Sequence, residues 1–79
     1  MDDLDFVLGE EVVLTDTPIY ATYESKNVVG RESGLFFVYN TIIKNNRIKI
    51  TNEKNKVGKP VSATGWVNIY DIEKWYYYR

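Results

Sequence analysis

The chain has 79 residues, 10 lysines and arginines against 11 acidic residues, and neither histidine nor cysteine. That length allows one domain, and the composition excludes disulfides, Cys/His metal sites and histidine-based catalytic triads. A core must therefore come from packing alone, and seven tyrosines, three phenylalanines and two tryptophans supply bulk for it. Tyr, Val, Ile, Thr and Asn outweigh Ala and Leu, a bias towards strands and turns.

No apolar run is long enough to span a bilayer. The acidic opening Met1-Asp2-Asp3-Leu4-Asp5 lacks the basic region of a secretory signal, which points to a cytoplasmic chain or to one domain of a longer protein. Residues 1 to 24 hold seven acids and no base, whereas residues 25 to 64 hold eight bases and two acids. Such asymmetry marks either a face for an anionic partner or two regions that pair across a small fold. A nucleic-acid domain is disfavoured, because these usually carry net positive charge.

In chain order, residues 1 to 10 read as a lead-in, with a short helical turn over Asp2 to Leu8 as one option. Glu11 to Thr15 is a first strand, Asp16-Thr17-Pro18 a turn, and Ile19 to Tyr23 a further extended segment with Ile19 and Tyr23 on one face and Tyr20 and Thr22 on the other. Glu24 to Gly34 is polar and reads as a loop with a short strand at Val28-Val29. Leu35 to Tyr39 is the most apolar run and reads as a strand buried on both faces.

Thr41 to Lys44 and Arg47 to Thr51 flank Asn45-Asn46, a pair suited to the positive φ of a two-residue hairpin turn. On the second arm Ile48 and Ile50 point one way and Arg47, Lys49 and Thr51 the other. A lysine-rich loop over Asn52 to Lys59 follows, then a short edge strand over Pro60 to Thr64. Gly65 to Ile69 is the last full strand, Tyr70 to Lys74 a helical turn, and Trp75-Tyr76-Tyr77-Tyr78-Arg79 an aromatic tail that docks on the barrel or on a neighbour. The whole describes an all-β domain over residues 11 to 74: a small antiparallel barrel of five to six short strands, with 75 to 79 as a tail.

These features, in this order, resemble bacterial SH3-like domains attached to phage endolysins and cell-wall hydrolases of Firmicutes. The residues that carry the likeness are Val12-Val13-Leu14, Thr17-Pro18-Ile19-Tyr20, Gly34 to Tyr39, Arg47 to Asn52 and Thr64-Gly65-Trp66-Val67-Asn68 before Asp71-Ile72. One departure stands out: the commoner form has an Arg-Ser-Gly-Pro-type turn after its first strand, where this chain has Thr15-Asp16-Thr17-Pro18. The resemblance implies an SH3-like fold and a non-catalytic module, extracellular or wall-associated. Its ligand would be a peptidoglycan peptide or cross-bridge, its companion a covalently linked catalytic domain, with no cofactor, metal or membrane partner. The other reading is a structural or assembly protein of a phage or secreted complex.

The candidate ligand-binding residues are Tyr20, Tyr23, Tyr39, Asn40 and Trp66. Tyrosine offers rigid area and a hydroxyl, which suits peptides and sugars, yet the same rings can simply roof a core. Trp66 beside Gly65 either packs inside or lies in a partly open groove. Asn68 is expected on the opposite face from Trp66. The row Arg47, Lys49, Thr51 is either a solvated face or a contact for phosphate polymers. No catalytic residue is expected: Ser25, Ser33 and Ser62 lack a base, and the acids cluster near the start of the chain.

Overall fold

The structure, a computed structural model, describes residues 5–74. Five strands form one antiparallel sheet: β1 (Glu11–Tyr20), β2 (Val28–Val38), β3 (Arg47–Thr51), β4 (Gly65–Asn68) and β5 (Glu73–Lys74). Their order is β2-β3-β4-β1-β5, and β1 also pairs with β2, so the first four close into a ring. The count of five to six short strands is thereby corrected. Four strands make the ring, two of them 10 and 11 residues long, and β5 is a two-residue addition on the edge of β1.

The long first strand explains two further differences. Val12 and Leu14 are buried, then the alternation changes phase and Thr17 and Ile19 are buried instead. A β-bulge at Thr15-Asp16 makes the change, with Asp16 at φ 49°, a region that aspartate tolerates better than most residues. The bulge is held by bonds from the Thr15 amide to Thr17 Oγ1 (3.1 Å), from the Asp16 amide to Ser33 Oγ (2.8 Å) and from Arg31 Nη1 to the Asp16 carbonyl (3.0 Å). The Asp-Thr-Pro signal is thus a bend within one strand. Pro18 sits where β1 pairs with β2 alone, an edge position at which proline is tolerated.

Because β1 is continuous, its partner extends too. The expected loop over Glu24 to Gly34 shrinks to residues 21–27, and β2 runs from Val28 through Val38. The second face of the apolar run is covered only towards its end: Phe36 and Val38 are buried on the inner face, while on the other Leu35 is 45% exposed, Phe37 half-buried and Tyr39 buried. Asn45 and Asn46 do form the positive-φ turn (52° and 58°), but its first arm is a single bridge from Lys44 to Arg47, leaving Ile42 and Ile43 exposed. Pro60 to Thr64 is not a strand. The helical turn expected over Tyr70 to Lys74 is a 3-10 turn at Ile69–Asp71, followed by β5.

The core is the inside of the ring: Val12, Leu14, Ile19, Phe36, Val38, Ile48, Ile50, Val67 and Ile69, with Phe6 and Ile72 packed against it. Phe6 shows the lead-in joining the domain, and its neighbours extend the ladder through Gly9 N to Val38 O and Val38 N to Glu10 O, both 2.9 Å. Residues 5–8 carry no helix. The aromatic tail over 75–79 lies outside the described residues.

One pairing closes the ring. Tyr20 of β1 is the Cα partner of Trp66 in β4, and further along the same edge Val13 pairs with Glu73 and Val12 with Lys74. These pairs share one register, so β4 and β5 act as one strand interrupted by the 3-10 turn. Gly65 lets β4 approach closely enough: a Cβ there would lie 2.5 Å from Ile19 Cγ2 and 3.0 Å from the Tyr20 carbonyl oxygen.

Candidate functional site on the outer face of the ring

In β3 and β4, Ile48 pairs with Val67 inside the ring, so the flanking pairs, Arg47 with Asn68 and Lys49 with Trp66, face outward. Tyr20, as the other partner of Trp66, joins them from β1. Asn68 therefore shares the face of Trp66, contrary to expectation, since residues two apart on a strand point the same way.

Trp66 is 8% exposed yet belongs to no part of the interior cluster. It is covered from outside. Tyr23, in the β1–β2 loop, meets it edge-on with centroids 5.5 Å apart and planes at 63°, a favoured aromatic geometry. Lys49 Nζ stands 5.2 Å from the Trp66 ring centre and 5.9 Å from that of Tyr39, and Lys44 Nζ stands 5.1 Å from that of Tyr23. Cations at these distances are attracted by the ring quadrupole. Tyr39 is also 8% exposed, and its hydroxyl donates to the Lys59 carbonyl, which fastens the lysine-rich loop.

Arg47 organises the rest. Its guanidinium carbon lies 3.7 Å from the Tyr20 ring centre. Its Nη1 donates to the carbonyls of Thr22 (3.1 Å) and Ser25 (2.7 Å), and its Nε donates to Asn68 Oδ1 (3.1 Å). Asn45 Nδ2 adds a bond of 2.9 Å to the Tyr23 carbonyl. Loop 21–27 is thus pinned to the β3 turn, and Tyr23 is placed over Trp66.

Of the expected binding residues, Tyr20, Tyr23 and Trp66 come together, and Tyr39 joins them through Lys49. Asn40 does not: its Oδ1 accepts from the Ile42 amide at 3.3 Å and serves its own loop. The basic row is also redistributed. Lys49 stays in the face, Arg47 becomes a clamp, and Thr51 is fully buried, donating to the Ser62 carbonyl at 3.0 Å. Lys44 was not among the expected site residues; the Asn45-Asn46 turn, which returns the chain beside Arg47, was the signal that could have found it.

Among the described residues an ion pair joins the acidic and basic regions on the surface. Asp16 and Arg31 pair at 3.6 Å with both side chains largely exposed, worth little in such a setting. Among the described residues Lys44, Arg47 and Lys49 have no carboxylate partner, and no group of three acidic, His or Cys side chains is placed to hold a metal ion. The face is aromatic and cationic, and half-buried Tyr20 and Tyr23 are its most accessible rings. No family model matches the chain, and no curated protein or solved structure does so either.

Proposed function

We propose that the chain is an SH3-like, non-catalytic module that targets an attached hydrolase or phage lysin to bacterial peptidoglycan, contacting a stem peptide or cross-bridge. The observation that carries this reading is the gathering of Tyr20, Tyr23, Trp66 and Tyr39 on one outer face, interleaved with Lys44 and Lys49. Rings and ammonium groups that have no carboxylate partner among the described residues suit a ligand that offers peptide backbone and carboxylates. Tethering an enzyme to its polymeric substrate raises the local concentration and needs no new chemistry.

A fluorescent fusion of the chain, incubated with purified Gram-positive cell walls, tests the reading. Retention is expected and should fall strongly in a Tyr20→Ala/Tyr23→Ala variant whose circular dichroism matches the parent. Equal retention of parent and variant, or none for either, sinks the proposal.

A second reading, an assembly protein, draws on a different observation. Among the described residues, 28–35 of β2 pair only with β1, which leaves their other edge without a strand there, with Val29 63% exposed. Open edges of this kind recruit strands from other chains. Sedimentation of the parent against Val29→Lys distinguishes the two: a parent dimer converted to monomer supports assembly, and a monomer throughout removes it.

A further inference from the structure

The loop between β2 and β3 presents a tip that wall targeting does not use. We propose that this tip, Ile42 and Ile43 beside Lys44, docks on a bilayer surface that contains anionic phospholipids. Such a contact is peripheral, needs no membrane-crossing segment and is independent of peptidoglycan.

Ile42 and Ile43 are adjacent, and they are 55% and 42% exposed, although isoleucine is among the residues most often buried. The loop builds this exposure in. The Ile42 amide donates to Asn40 Oδ1 at 3.3 Å, and Lys44 and Arg47 exchange backbone bonds of 3.0 and 2.8 Å. Both side chains are thus held outside the ring, whose interior is filled by other residues. An apolar tip with a polar rim marks a surface for a protein or for a membrane.

Charge and ring chemistry favour the membrane. Residues 33–52 contain no acid and three bases, Lys44, Arg47 and Lys49. Arg47 is occupied by the carbonyls of Thr22 and Ser25 and by Asn68. Lys44 and Lys49 have no carboxylate partner among the described residues. On the neighbouring loop exposed Glu24 is accompanied by Lys26, and Asp71 is engaged by Asn68 Nδ2 at 3.4 Å. Lys44 follows Ile43 directly, and its Nζ stands 5.1 Å from the ring centre of half-buried Tyr23. A ring attracts an ammonium group without taking its N–H donors. An aliphatic tip, then an amphipathic ring and a lysine, matches the order of hydrocarbon, interface and phosphate in a bilayer surface. A protein partner fits less well, because lysine is depleted from protein interfaces. A second copy docked through the same tip would set like charges against each other.

The experiment floats the chain as it stands with vesicles of phosphatidylcholine alone, and of phosphatidylcholine and phosphatidylglycerol in equal parts. Binding to the mixed vesicles is expected at least about fivefold tighter than to the neutral ones, and it should weaken with salt. Ile42→Ser/Ile43→Ser, at exposed positions that leave the core intact, should reduce binding at least about tenfold. Lys44→Gln should reduce it about fivefold. An Ile42→Trp variant reads insertion directly: its added emission should be quenched by brominated acyl chains. No flotation of the parent with the mixed vesicles overturns the proposal, as does equal flotation of the parent and the serine variant. So does an Ile42→Trp variant that binds the vesicles without being quenched. A parent dimer in sedimentation without lipid, converted to monomer by the serine substitutions, assigns the tip to a second copy instead. The vesicles hold no peptidoglycan and purified walls hold no bilayer, so failure of either reading leaves the other standing.

Discussion

Arg47 stacks on Tyr20 at 3.7 Å and, in the same pose, donates to two loop carbonyls, those of Thr22 and Ser25. One side chain on β3 thus fixes both the ring at the end of β1 and the loop that carries Tyr23. The contact face is assembled by a planar, forked donor, and its chemistry depends on that shape.

Replacing Arg47 should show it. Arg47→Ala removes three charge-assisted hydrogen bonds and a stacked ring, and should cost about 2 to 3 kcal/mol in a urea melt. Arg47→Lys keeps the charge but not the fork, and should recover well under half of the loss. Amide exchange should rise across residues 21–27 in both variants. Equal melts for the Arg47→Lys variant and the parent would show that charge alone matters.

Gly65 tests how the ring closes. A methyl group there meets Ile19 Cγ2 at 2.5 Å and the Tyr20 carbonyl at 3.0 Å, so Gly65→Ala should destabilise by about 1 to 3 kcal/mol through overpacking. Tyr23–Trp66 contacts should loosen with it, readable as a change in tryptophan fluorescence. Ile19→Ala removes one clashing atom but leaves the backbone oxygen. A double-mutant cycle should therefore show coupling of at least about 0.5 kcal/mol with incomplete rescue.

How much of this was legible follows from which signals are local. The Asn45-Asn46 turn and the inward pair Ile48 and Ile50 were readable, because turn chemistry and strand alternation act within a few residues. Asp16-Thr17-Pro18 misled, because a bulge and a turn use the same residues and only the distant partners Arg31 and Ser33 decide between them. The gathering of Tyr20, Tyr23 and Trp66 was anticipated as a list of rings, but their arrangement was not. It depends on a strand pairing between residues 46 positions apart, and on Arg47 reaching loop carbonyls more than 20 residues away. Thr51 was misplaced for the same reason: its cover is the Ser62 carbonyl, supplied by a loop that periodicity does not see.

The Asn45-Asn46 turn separates two roles of one residue type. Both residues have positive φ (52° and 58°), but only Asn45 bonds the Tyr23 carbonyl. Asn46→Gly should leave stability unchanged or raise it by a few tenths of a kcal/mol, since glycine suits that position of the turn. Asn45→Gly keeps the backbone freedom and loses the side-chain bond, so it should cost about 1 kcal/mol. Paired urea melts check the contrast, and identical effects at both positions would count against a separate role for Asn45.

Val61 is the remaining strained position. It has φ 50° and is fully exposed in the loop between β3 and β4. A β-branched residue in the left-handed region is unfavourable by about 1 to 2 kcal/mol, and here no buried contact of its side chain offsets that cost. Asparagine tolerates this conformation and adds less unfolded-state entropy than glycine. Val61→Asn should therefore stabilise the domain by up to about 1 kcal/mol, with Val61→Gly gaining less. Thermal melts of the two variants against the parent measure the order directly. Destabilisation by Val61→Asn would mean that the valine side chain, rather than the backbone, is what this position requires.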